Sequence, residues 1–309
     1  MTQDNQEPSS NGDATAMCCA QFYEQDIVQE IMGGSYHPGG EDLSKTLVSR
    51  LNLTPGRDVL DVACGVGTMT RLMSRQFGLN ATGLDYSAVN VSKAEDLSNQ
   101  PVPQAKVDEE PCCGPGETCC PPEDGLAQLG GANITPVSAA IEPGATNFVQ
   151  GSADALGFDD SRFDGVTCEC AVSTFSNQPQ AATEFHRVLK SGGVFGMTDM
   201  VLNGELPPAF AEKIAPWTCM AKALTVEGYT ELFATAGFEL KLHEDHSHTL
   251  IELATEMKRK LVMAGLGKAL GALPSLGMDL AEMRTMLKKA TELVRAGTVQ
   301  YGLLVFEKK

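Results

Sequence analysis

The sequence predicts an α/β fold built on a mostly parallel sheet with helices on both faces, and three observations carry that prediction. An apolar run at 58–63 passes through a glycine turn into a helix opening near Thr68, and a second strand follows at 81–85. Strand and helix patterns then continue to alternate up to residue 243. A last apolar strand at 299–306 closes the 309-residue chain. Strand, glycine turn, helix and strand make the βαβ unit from which parallel sheets are built.

Residues 1–16 are polar, rich in Asn, Ser, Asp and Gln, and are expected to form a disordered tail. The main domain is expected over 17–249. Within it, Leu43, Leu47, Val48 and Leu51 recur at helical spacing, and Thr54, Pro55 and Gly56 end that helix. After the first βαβ unit, strands are expected near 147–150, 163–170 and 193–199, with a helix around 180–189 between the last two. A helix over Val226–Thr235 leads through Gly237 into a strand at 238–243. Two segments break the rhythm. Residues 100–145 hold many of the prolines and four cysteines without a sustained period, which marks a long inserted loop. Residues 250–309 are expected to add two helices, 250–270 and 279–296, packing beside the sheet or forming a lid before the final strand.

Composition narrows the function. The formal charge of −17 repels phosphate backbones and anionic lipid, so neither nucleic acid nor membrane is an expected partner. The N-terminus lacks the basic and apolar regions of a signal peptide, and no apolar run nears the ~18 residues of a membrane span. A cytoplasmic location is therefore expected, where thiols stay mostly reduced. The chain nevertheless has ten cysteines, six in the adjacent pairs Cys18-Cys19, Cys112-Cys113 and Cys119-Cys120. Their use is metal, metalloid or thiol chemistry rather than a disulfide framework.

The candidate cofactor loop runs from Asp61 through Cys64, Gly65 and Gly67 to Thr68, at the carboxyl end of the first strand. Glycines there let a ligand approach the backbone closely. Asp85, twenty residues beyond Gly65 (85 − 65), ends the second strand, placed to accept hydrogen bonds from a ribose diol. Glycine spacing alone also fits an ordinary strand-to-helix turn.

This stretch resembles the first motif of class I S-adenosylmethionine (SAM) methyltransferases, which lacks the third glycine of the dinucleotide fingerprint. Residues 151–156, with Ala153 and Asp154, are similar to the segment whose acidic residue meets the adenine amino group in that family. Phe185 to Gly193 is similar to the family's helix and double-glycine turn before the fifth strand. The resemblance covers about 57–240. It implies a Rossmann-like seven-stranded sheet and SAM as cofactor, bound by Asp61, Cys64, Gly65, Gly67, Asp85, Tyr86, Ala153 and Asp154, with Cys170 lining the site.

Two single cysteines narrow the resemblance further. Cys170 ends the fourth strand, sixteen positions before His186 (186 − 170), and Cys219 follows 49 positions later (219 − 170), in the loop 215–224. Both intervals are similar to those of the arsenite methyltransferases. The resemblance implies methyl transfer to thiolate-bound trivalent arsenic, with Cys170 and Cys219 as ligands, arsenite or a thiol conjugate of arsenic as substrate, and glutathione or thioredoxin as reductant. Soft trivalent arsenic prefers thiolates to carboxylates. Its lone pair can attack the methyl group, so positioning suffices and a general base is unnecessary. No clear catalytic histidine or carboxylate pair emerges in the matched region.

The match has one departure. The family carries another cysteine in the helix after the glycine loop, where this chain has Thr68, Met69, Thr70 and Arg71. A third thiolate would come from Cys168, two positions before Cys170 and so on the same strand face, or from the loop holding Cys112, Cys113, Cys119 and Cys120. That loop is similar to a Cys-Cys-Gly-Pro segment of bacterial arsenite methyltransferases, although displaced. Metalloid capture, a zinc site and an unstructured thiol loop stay open for it, and Cys18-Cys19 reads the same way. His243, His246 and His248 fit a solvated strand edge better than a metal site.

Two rival functions remain: a carbon or oxygen methyltransferase of the ubiquinone and menaquinone type, and a metal-binding or metal-sensing protein on the same scaffold. The first requires an acid–base residue that the sequence does not reveal.

Overall fold

The computed structural model describes residues 37–100, 142–213, 220, 222–264 and 280–309. The expected tail and nearly all of the 100–145 insertion lie outside these, as do Cys18, Cys19, Cys112, Cys113, Cys119, Cys120 and Cys219.

Seven strands form one sheet: β1 (Asp58–Val62), β2 (Asn80–Asp85), β3 (Thr146–Gln150), β4 (Phe163–Glu169), β5 (Leu189–Leu202), β6 (Phe238–Asp245) and β7 (Val299–Lys308). Their order across the sheet is β3-β2-β1-β4-β5-β7-β6. Strands β1 to β5 pair in parallel, and β7 lies antiparallel between β5 and β6. The order turns back between β1 and β4, the switch point at whose carboxyl ends such sheets bind ligands.

The helices are α1 (Gly40–Leu51), α2 (Thr68–Phe77), α3 (Ala88–Ser98), α4 (Gln178–Val188), α5 (Pro208–Lys213), α6 (Val226–Thr235), α7 (His248–Ala264) and α8 (Leu280–Arg295). Helix α3 starts at Ser87, whose side chain accepts from the Asn90 amide, and α6 starts the same way at Thr225. Gly78 in the left-handed region ends α2.

Apolar side chains gather on both faces of the sheet. On one face Val166, Cys168, Phe195 and Phe306 meet Phe185 of α4 and Tyr229 and Phe233 of α6. On the other, Val59, Tyr301 and Leu303 meet Leu43 and Leu47 of α1, Met69 and Met73 of α2, and Leu293 of α8. Leu250 of α7 and Met286, Ala290 and Val294 of α8, partly buried, pack against this second cluster. Strand β5 begins at Leu189, earlier than the sequence pattern suggests, because the double glycine forms an irregularity within the strand rather than a turn before it.

Candidate active site

The loop between β1 and α2 is built from backbone conformations that glycine tolerates. Gly65 and Gly67 have φ of 55° and 76°. A Cβ added at Gly67 would also press into the Phe148 ring, which would have to shift to admit it. Cys64 wedges the loop from behind: its sulfur occupies the space over Gly83, where an added Cβ would come within 2.8 Å of both the sulfur and the Thr70 hydroxyl. Burial, with Asp61 and Asp85 nearby, raises the Cys64 thiol well above its usual range, so it stays protonated.

Asp61 is buried and does not face solvent. It accepts hydrogen bonds from the hydroxyls of Thr70 (2.6 Å) and Thr167 (3.1 Å), tying β1 to α2 and β4. Burial and the nearby Glu169 push its carboxyl up to about 7, against the pull of those two hydrogen bonds. Asp85 accepts from the Gly65 amide at 2.8 Å and the Ser87 amide at 2.9 Å, which fixes the carboxylate across the mouth of the loop. Asn90 donates to it at 3.3 Å, while the Asn90 carbonyl oxygen is buried without a hydrogen-bond partner. Tyr86, next to Asp85, is 49% exposed. Ala153 and Asp154 form the turn after β3, where the Ser152 hydroxyl donates to Asp154.

These residues fit SAM. A glycine cradle, an oriented carboxylate beside an unpartnered buried polar atom, and an exposed ring together suit a nucleoside group. Asp85 would meet the ribose, Tyr86 would cover the base and Asp154 would meet its amino group.

The carboxyl end of β4 holds the most unusual backbone. Cys170 lies just past the strand with φ 52°, and Ala63, at the same level past the neighbouring β1, has φ 60°. Left-handed conformations at non-glycine residues cost about 1 kcal/mol or more, and they cluster where function requires them. The positive φ has a direct consequence for facing. Cys168 is fully buried in the cluster with Phe185 and Tyr229, whereas Cys170 packs against the opposite cluster, which contains Tyr301 and Met220. The expectation that Cys168 and Cys170 share a face therefore fails, because the left-handed residue breaks the two-residue alternation. Burial and Asp199 also raise the Cys168 thiol well above its usual range. This geometry does not support Cys168 as a third ligand. Cys219 lies outside the described residues, but its neighbour Met220 is buried in the cluster against which Cys170 packs.

On the same side stands a polar group that the sequence did not reveal. Glu169 accepts from the Ser44 hydroxyl at 2.9 Å and lies 3.3 Å from the His37 ring nitrogen, and Ser44 also lies 3.2 Å from that nitrogen. Burial pulls the His37 pKa down, but the Glu169 charge and hydrogen bonds to Glu169 and the Pro38 carbonyl outweigh it, and the net shift is upward. The cluster eluded sequence reading because His37 precedes the first recognisable motif, and Glu169 is hidden between two cysteines that draw the attention. His246, half-buried just past the edge strand β6, pairs with Glu244 of that strand at 3.0 Å. Among the described residues, no group of three or more His, Cys, Asp or Glu could hold a metal ion. No helix among them is long and apolar enough to cross a membrane.

Comparisons with known proteins agree with this architecture. A methyltransferase domain family model matches residues 110–197. Sterol 24-C-methyltransferase of Gibberella zeae is 26% identical over 209 residues, covering 66% of this chain and 45% of the relative. The 2-methyl-6-phytyl-1,4-hydroquinone methyltransferase of Synechocystis is 26% identical over 193 residues, covering 60% and 47%. The chain thus spans about half the length of these curated relatives. The structure of Haemonchus contortus phosphoethanolamine N-methyltransferase 2 with S-adenosyl-L-methionine superposes with a TM-score of 0.67 at 14% identity, covering 97% of this chain and 60% of that one. The fold is the Rossmann-like fold seen in class I SAM-dependent methyltransferases.

Proposed function

We propose that the chain methylates trivalent arsenic held by the thiolates of Cys170 and Cys219. The observation that carries this reading is Cys170 itself: a left-handed residue turns its side chain out of strand alternation at the carboxyl end of β4, beside β1 and its cofactor loop. When bound, SAM supplies an electrophilic methyl carbon, which the arsenic lone pair takes as the bond from carbon to sulfonium sulfur breaks and its electron pair stays on sulfur. The chain's own work is positioning. Asp85 and the glycine loop orient the nucleoside end, Cys170 holds the acceptor, and the buried apolar surroundings exclude water. Arsenite or a thiol conjugate of arsenic is the substrate; donation of the lone pair takes arsenic from the trivalent to the pentavalent state, and glutathione or thioredoxin, as reductant, supplies the two electrons that return the methylated product to the trivalent state. The test is methyl transfer from SAM to arsenite with reduced thiol, in the wild type and in Cys170→Ser and Cys219→Ser. Both variants are expected to lose turnover, and full activity in either overturns the ligand pair.

A second reading has its own support. The His37, Ser44 and Glu169 group supplies an acid–base function of the kind a quinol-type carbon or oxygen methyltransferase requires, and one relative bears a hydroquinone methyltransferase name. Turnover of a hydroquinone acceptor that Glu169→Gln abolishes, with arsenite inert, would establish it instead. Arsenite binding without turnover of any acceptor would favour a metal-binding role.

A further inference from the structure

Cys170 leaves β4 in a strained conformation, and the turn that follows must hold it there. That turn is a single 3-10 turn, Val172–Thr174, too short to satisfy its own carbonyls. It is gripped at both ends. At its start the buried Asp199 of β5 accepts from the Ser173 amide at 2.9 Å and from the Ser173 hydroxyl. At its far end the ammonium of Lys222 donates to the carbonyls of Phe175 (3.1 Å) and Ser176 (2.8 Å). The Lys222 amide donates to the Ser173 carbonyl at 3.2 Å. Gln178, in the first turn of α4, spans both segments with one amide nitrogen, donating to the carbonyls of Val172 at 3.0 Å and Lys222 at 3.1 Å. The segment bearing Lys222 is itself anchored to the sheet, since the Leu202 amide donates to the Leu224 carbonyl at 3.0 Å.

We propose that Lys222 and Gln178 are positioning residues for the acceptor: they clamp the turn after β4 to the segment after β5, so that the two chain segments forming the acceptor side of the site move as one. Their side-chain hydrogen bonds go to these two segments. Lys222 lies in the same short segment as Met220, whose side chain packs in the cluster that borders Cys170, so the clamp acts on both walls around that thiol. A lysine side chain favours water, so its half-buried engagement with the carbonyls of this turn calls for a role. The inference rests on the reading in which Cys170 holds the acceptor, and it assigns the residues that set that thiol's position.

The experiment uses the full chain as Lys222→Met, Gln178→Leu and Lys222→Arg. Three quantities are measured: SAM affinity by calorimetry, turnover with arsenite, and the rate of Cys170 alkylation by iodoacetamide read by peptide mass. With Lys222→Met, turnover should fall about ten- to a hundredfold, as expected when a reacting group is misplaced by about an ångström. Cys170 alkylation should speed up about fivefold as the thiol gains access, with SAM affinity held within about twofold. Gln178→Leu should show the same pattern, weaker, and Lys222→Arg should restore most of the wild-type behaviour. Wild-type turnover and alkylation in both Lys222→Met and Gln178→Leu would overturn the clamp, as would SAM affinity falling in step with turnover. If the wild type does not methylate arsenite at all, the proposed reaction fails, but the alkylation rates still decide the clamp.

Discussion

At the scale of single residues, the informative position is Cys170. Its φ of 52° is one that glycine adopts freely and alanine does not. Two truncations separate the backbone contribution from the sulfur. Cys170→Gly should be more stable than Cys170→Ala by about 1 kcal/mol in chemical denaturation, because only the second keeps the strained Cβ. Equal stability, or alanine the more stable, would mean the left-handed conformation is not maintained in solution. Under the proposed function both variants lose arsenite turnover, so the more stable variant is no more active. A site that spends stability on geometry shows this separation.

At the scale of elements, α8 earns its place by packing rather than by pattern. Leu293 is 7% exposed and joins the cluster formed by α1, α2 and β7. Leu293→Ala should cost about 2 kcal/mol or more, measured by urea denaturation, and a loss under about 0.5 kcal/mol would show that α8 is peripheral. Strands β1, β4 and β7 were legible in the sequence as largely apolar runs, and Val226–Thr235 was legible to its exact ends because Thr225 caps it and Gly237 follows it. The glycine turn between β1 and α2 was legible for the same local reason. The facing of Cys168 and Cys170 was not, since one dihedral angle decides it and residue spacing carries no record of that angle. Nor was the association of His37 with Glu169, separated by 132 positions (169 − 37) and brought together only when α1 docks on the sheet. Nothing in the sequence marks Lys222, because its partners are backbone carbonyls, which any sequence possesses.

At the scale of the whole molecule, buried titratable groups set a pH dependence whose sign can be worked out. Burial raises Asp61 and Asp199 from 3.8 to about 7. A carboxyl raised on folding binds its proton more tightly in the folded state, so stability falls as pH climbs from about 4 to about 7. His37 is raised above 6.5, so its contribution is complete below that value and is lost as pH rises through the folded value. The two slopes add. Carboxylates such as Glu184, lowered by its hydrogen bonds to Arg187, act in the opposite sense and withdraw their support in acid. The melting temperature should therefore peak at about pH 4 to 5 and decline toward pH 8, with a shallower decline in Asp199→Asn. A flat profile or a rise between pH 6 and 8 would contradict this assignment of buried groups.

The opposite facing of Cys168 and Cys170 also bears on how the chain meets an oxidant. One strand end carries two thiols two residues apart, one sealed in the core with its proton held tightly, the other at the margin of a site. Peroxide attacks thiolates that it can reach. Oxidative damage should therefore fall on Cys170 and spare Cys168, leaving a chain that keeps its core intact and, under the proposed function, loses its chemistry.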